Sequence, residues 1–178
     1  MPTHVASHVN LGALLRARGD MAGATAHLQR ALELDPGDAA AHANLGGVLM
    51  QQGKVSQAVA QYRSALQGNP VLVDALTELA WTFATSPSSS IADAAEAVRL
   101  GEQARSVTNG NDVRALDALA AAYARAGRYR DATDTVDAAM RLVPATARGA
   151  DDTRRLLRER RGFYAAGRAY EDPGRMDR

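Results

Sequence analysis

His42-Ala43-Asn44-Leu45-Gly46-Gly47-Val48-Leu49, then Ala58-x-x-x-Tyr62-x-x-Ala65 and a closing Pro70, is the stretch whose reading decides the fold. Thirty-four residues earlier the same order stands as His8-x-x-Leu11-Gly12-x-x-Leu15, Ala24-x-x-x-Leu28-x-x-Ala31 and Pro36. It returns as Leu116-x-x-Leu119-Ala120-x-x-Tyr123, Ala132-x-x-x-Val136-x-x-Ala139 and Pro144. Between these, Leu76-x-x-Leu79-Ala80-x-x-Phe83 opens a further unit whose second half arrives about five residues late, at Ala97-x-x-x-Gly101-x-x-Ala104. Apolar residues spaced three, four and seven apart lie on one stripe of a helix, so each unit reads as two amphipathic helices. Small residues on both stripes, such as Gly12, Gly46 and Ala80 facing Ala24, Ala58 and Ala97, allow the pair to approach closely. Gly19, Gly53 and Gly127 share one offset just past the first helix, where a left-handed residue is sterically cheap for glycine. The prolines end the second helices because they cannot donate the next ladder bond.

Composition agrees with an all-α chain. Among 178 residues there are 38 alanines and only 4% aromatics, which favours closely packed helices over sheets. No cysteine is present, so disulfide frameworks, thiolate zinc sites and thiol catalysis are excluded. No apolar run reaches the ~18 residues of a membrane span, and Met1-Pro2-Thr3-His4 has neither the basic nor the apolar region of a secretory signal. Membrane insertion is not expected, and a cytoplasmic location is the default expectation.

The recurring pattern resembles the tetratricopeptide repeat family. The resemblance covers residues 5–146 as four repeats, 5–38, 39–72, 73–112 with an insertion, and 113–146. It implies a right-handed α-solenoid of helix-turn-helix repeats. One pair cannot bury its apolar face alone, so neighbours must stack to make a core. The third unit departs from the pattern at Ser86-Pro87-Ser88-Ser89-Ser90 and in having Asn109-Gly110-Asn111-Asp112 where a closing proline would stand. Residues 147–178 read as a capping helix, with Leu156, Leu157, Phe163 and Tyr164 at helical spacing, and a polar tail. The ending Phe163-Tyr164-Ala165-Ala166-Gly167-Arg168-Ala169-Tyr170 is similar to the closing segment of many bacterial tetratricopeptide proteins. No comparable cap precedes His4. That points either to a C-terminal targeting or recruiting region of a larger enzyme or membrane-associated protein, or to a homo-oligomer formed through the first helix.

Catalytic groups are few. His4 and His8 sit four apart, but Val5 stands where a metalloprotease would carry glutamate, and no third ligand is evident. His8 and His42 also fill the large-residue slot of their repeats, so packing is the expected role. Asp131, Asp134, Asp151 and Asp152 are explained by helix-start charge meeting the dipole. Glycine loops of the nucleotide-binding kinds do not occur, and neither a small-molecule substrate nor a metal or other cofactor is expected. The chain is expected not to be an enzyme. Residues 147–178 hold nine arginines against six acids. Arg154, Arg155, Arg158, Arg160 and Arg161 read as a solvated helix face, with nucleic acid disfavoured for want of stacking aromatics.

The resemblance implies that the first helices line a concave groove holding a protein or peptide ligand. On the family's contact offsets the candidate positions are Val9, Asn10, Ala13 and Arg16 in the first unit and Asn44, Gly47 and Met50 in the second. Asp74, Glu78 and Trp81 follow in the third, and Arg114, Asp117 and Arg125 in the fourth. Asn10 and Asn44 each precede Leu-Gly, where a side-chain amide can both donate to and accept from an extended peptide backbone. Their arrangement is similar to the asparagine ladder of O-linked N-acetylglucosamine transferases. Trp81 reads as a stacking anchor or as a plug for the wider third unit. Asp74 and Glu78 stand where the family's chaperone cofactors carry cations, so a bare C-terminal carboxylate would be repelled there. A groove running from Arg16 through Asp74 and Glu78 to Arg114 and Arg125 suits a segment of mixed charge. The expected function is therefore a non-catalytic interaction scaffold or adaptor.

Overall fold

The computed structural model describes residues 2–86 and 91–172; the serines at 88–90 and the end of the tail lie outside the described residues. Every regular element among the described residues is an α-helix. Two compact units divide the chain, with the boundary after Ala75.

The first unit contains α1 (Pro2–Ala17), α2 (Met21–Leu34), α3 (Ala39–Gln51) and α4 (Val55–Gly68). Two apolar clusters hold it, Ala24, Leu28, Leu45 and Val48 in one and Val9, Ala31 and Ala41 in the other. The 34-residue register reappears as paired cross-links between helices. His8 Nδ1 lies 2.9 Å from His27 Nδ1, and His42 Nδ1 lies 2.7 Å from Gln61 Oε1. Both histidines thus bridge the two helices of a hairpin. On α1, Leu11 and Leu14 remain exposed.

The second unit runs from Leu76, inside α5 (Val73–Thr85), through α6 (Ile91–Val107), α7 (Val113–Arg125), α8 (Tyr129–Leu142) and α9 (Ala150–Ala165). Its core is Leu76, Leu79, Leu100, Leu116, Leu119, Val136, Leu157 and Tyr164. On α7 every residue from Ala118 to Ala124 is buried, so this helix is covered on all sides, and the run of alanines is what makes that packing sterically possible. Helix α9 packs on α8.

Local chemistry sets the ends of these helices. Asp20, Asp38 and Asp112 accept the backbone N–H three residues on at 2.8, 2.6 and 2.8 Å, each cap stabilising its helix by about 1 kcal/mol. Gly19, Gly53 and Gly127 have φ of 84°, 73° and 76°, the left-handed turn their shared offset requires. At the end of the third repeat Asn109 and Gly110 take positive φ in succession and Asp112 then caps α7, so this sequence ends one helix and starts the next without a proline.

Candidate functional site

In the first unit the expected contact residues fall into two groups. Val9 is 7% exposed and packs with Ala31 and Ala41, so its side chain belongs to the core. Asn10 is exposed, while Ala13, Arg16, Asn44 and Met50 are half-buried. Arg16 and Gly47 are brought together. A Cβ at Gly47 would stand 2.6 Å from Arg16 Nη1 and 3.1 Å from its Cζ, so the guanidinium lies against α3 in the space that glycine leaves open. Arg16 Nε is buried without a hydrogen-bond partner among the described residues. Asn44 donates from Nδ2 to the Ala40 carbonyl at 2.9 Å, leaving its amide oxygen as the acceptor for anything else. A separate groove of about 580 Å³ lies between α2, α3 and α4, with Gln29, Gln52, Lys54 and Gln61 on its walls; none of the expected contact residues lines it.

In the second unit Trp81 and Arg125 converge on residues 170–172, and Asp117 meets Arg160 of α9. Gly167, at φ 67°, turns the backbone out of α9, and the non-helical residues 168–172 follow. Trp81 Nε1 donates to Asp172 Oδ2 at 3.1 Å, and the Asp172 N–H donates to the Thr85 carbonyl at 3.1 Å. The Trp81 and Tyr170 rings lie 6.0 Å apart, and Phe163 meets Tyr170 edge-on at 5.7 Å. The Arg160 guanidinium stacks over Trp81 at 4.4 Å and Tyr170 at 5.2 Å and pairs with Asp117. Arg125 donates to the Ala84 and Ser86 carbonyls, both at 2.8 Å, closing the C-terminal end of α5, and lies 3.8 Å from Glu171. Further along, Arg114 pairs with Glu78 at 3.2 Å, and Asp74 is exposed.

Four polar atoms of this unit are buried without partners among the described residues: Thr77 Oγ1, Asp117 Oδ1, Arg160 Nε and Tyr164 Oη. Burial pushes the Asp117 carboxyl up from 3.8 to about 6, with the Arg160 charge opposing it. Burial, then the Asp117 charge, also raises the Tyr164 phenol. A raised carboxyl value means the folded state holds a proton that the unfolded chain has already released. The contribution of Asp117 is therefore fully favourable below pH 3.8 and is lost as pH rises through about 6. Urea melts at pH 4.5 and 7 should show wild type losing stability across that interval relative to Asp117→Asn. Parallel pH dependence in the two proteins would contradict this.

The arginines of α9 do not share one role. Arg155 is solvated, as expected, with its side chain 70% exposed. Arg161 is also largely solvated, with its side chain 43% exposed, and the solvated reading fails for Arg154 and Arg160. Arg154 donates to the Val143 carbonyl at 2.6 Å, Arg161 pairs with Asp137 at 2.7 Å, and Arg160 lies beneath the C-terminal segment. The cause is that α9 turns these positions toward α7 and α8, where acids and a free carbonyl await them. The sequence thus led to a solvated reading of Arg160, placed Tyr170 only in a closing segment, and assigned no role to Glu171 or Asp172. The closing segment's similarity to those of bacterial tetratricopeptide proteins was the signal that residues near Tyr170 do something besides trail into solvent.

Repeated helical hairpins cemented by small residues, with no strand among the described residues, define an all-α helical-repeat protein of the solenoid class. The family model described as tetratricopeptide repeat matches residues 15–82. No curated protein matches the chain. Among solved structures it is similar to MamA, with 23% identity over 79% of each chain and a TM-score of 0.63. It is similar to PilF of Pseudomonas aeruginosa, with 20% identity over 93% of this chain and 72% of that one and a TM-score of 0.69. TTC0263, a tetratricopeptide protein of Thermus thermophilus, gives 19% identity over 92% and 87% and a TM-score of 0.68. At these identities the likeness is one of fold. No described helix is long and apolar enough to cross a membrane.

Proposed function

We propose that the chain is a non-catalytic protein-binding scaffold and that the first helices of its first unit, α1 and α3, hold an extended segment of a partner protein. The observation that carries this reading is Arg16 lying against Gly47. The half-buried guanidinium of Arg16 occupies the space on the first-helix side that a Cβ at Gly47 would take. Asn10 on α1 and the amide oxygen of Asn44 on α3 supply a donor and acceptors for a peptide backbone on either side of it. Half-buried Ala13 adds no bulk that would hold such a backbone away. A carboxylate or carbonyl oxygen of the ligand pairs with the solvent-facing part of the half-buried Arg16 guanidinium.

Panning a random peptide library against the full chain tests the reading. Peptides enriched on the wild type should lose about tenfold or more in affinity on Arg16→Ala, the size of a hydrogen bond to a charged group. Binders indifferent both to Arg16→Ala and to Asn44→Ala would show that the ligand face lies elsewhere.

A further inference from the structure

The C-terminal segment contributes almost nothing to the core it covers. None of residues 166–172 belongs to the buried core of the second unit, and the Glu171 side chain is 58% exposed. What the segment does contribute is a set of specific contacts. Its backbone N–H at Asp172 meets a main-chain acceptor, the Thr85 carbonyl at 3.1 Å. Its aromatic ring at Tyr170 meets Trp81 and the Arg160 guanidinium, at 6.0 and 5.2 Å. Its two carboxylates meet an indole N–H at 3.1 Å and the Arg125 guanidinium at 3.8 Å. A backbone acceptor, a stacking plate and cationic or N–H donors for consecutive acids are the parts of a peptide-recognition site. The seat is also built without the tail. Arg125 is fixed by the Ala84 and Ser86 carbonyls, Arg160 by Asp117, and Thr85 Oγ1 by the Trp81 carbonyl at 2.8 Å. Beneath it, in an Arg160 side chain that is 16% exposed and already paired with Asp117, Nε is buried without a partner among the described residues.

We propose that Trp81, Thr85, Arg125 and Arg160 form a recognition site for an extended segment of a partner protein in which an aromatic residue is followed by two carboxylates, and that Tyr170, Glu171 and Asp172 occupy this site in cis until such a segment displaces them. The proposal rests on the first-helix side being the ligand face, but on residues separate from Arg16 and Asn44. Charge complementarity favours the acidic partner: Arg160 is balanced by Asp117, which leaves Arg125 and the indole N–H to meet the ligand's acids.

The test uses the full chain and a fluorescein-labelled peptide with the sequence of residues 167–172, Gly-Arg-Ala-Tyr-Glu-Asp. A double variant, Tyr170→Ala with Asp172→Asn, releases the tail without touching the core. Trp81 is the only tryptophan, so its emission reports the release directly. The expected result is a red shift and increased acrylamide quenching in the variant, and binding of the labelled peptide about tenfold or more tighter than to wild type. Adding the peptide should reverse the shift, and a peptide with Gln and Asn in place of Glu and Asp should bind about tenfold or more weakly. Asp172→Asn alone should give a partial release. Unchanged Trp81 emission in the double variant, equal peptide binding by variant and wild type, or equal binding of the amide peptide would each overturn the proposal. So would a variant that ignores the peptide but dimerises in sedimentation, which would assign the seat to exchange between copies. Library binders indifferent to Arg16→Ala, alongside intact binding of this peptide, would remove the first-unit reading and leave the second-unit site standing.

Discussion

Gly46→Leu lowers the stability of the first unit by about 3 kcal/mol, because an added side chain must occupy space already filled by a ring. A Cβ at Gly46 would stand 2.8 Å from Tyr62 Cε1 and 3.0 Å from Cδ1 and Cζ. Tyr62 is 3% exposed, so its ring has nowhere to swing. Alanine is the graded control. It gains about 1 kcal/mol of helix propensity over glycine and loses about 1–3 kcal/mol to overpacking, so its net effect is a small loss. Leucine has the same gain and adds three more carbons to the clash. The midpoint of a urea melt followed by circular dichroism at 222 nm should fall for Leu well below that for Ala. Should Leu melt with the wild type, α3 and α4 are not as close as this packing requires.

Tyr164→Ala should cost about 3–5 kcal/mol, the range for emptying an aromatic core site. Tyr164 is fully buried, at 0% exposure, and with Leu157 it forms the buried face of α9 in the core of the second unit. Losing the ring loosens the helix that carries Arg160, so Trp81 emission should shift red at urea concentrations that leave the wild type folded. Tyr164→Phe separates packing from polarity. The hydroxyl is buried without a partner among the described residues, so removing it should leave stability unchanged or raise it by about 1 kcal/mol. A melt in which Phe is as damaging as Ala would mean that the hydroxyl, not the ring, holds the cap.

The fold was legible where the physics is local. Gly19, Gly53 and Gly127 announce their turns because a positive φ constrains the residue itself, and the apolar stripes announce their helices because period is written along the chain. Asn109-Gly110 could be read as a departure from the pattern, though not as the paired left-handed turn it makes. The candidate site was less legible. Offsets place Val9 on the first helix, but whether its side chain meets solvent or Ala31 depends on the roll of one helix against its neighbours. Arg158 and Arg160 look alike in sequence. One is exposed and the other lies between Asp117 and two aromatic rings, a difference made by where α9 docks and where the chain travels after Gly167. Such encounters carry no local period, so a repeat pattern cannot announce them.

The contacts of this chain differ widely in how much polypeptide they enclose. His8 and His27 are 19 residues apart, as are His42 and Gln61, so each hairpin zips from a small loop. Trp81 and Asp172 are 91 apart. Closing that larger loop costs about 1.4 kcal/mol more than closing a hairpin, by the logarithmic dependence on length. It also depends on α6 to α9 having formed first. The strap over Trp81 is therefore expected to be the last piece of the second unit to close during refolding, which a Trp81 emission phase slower than the helical signal would show.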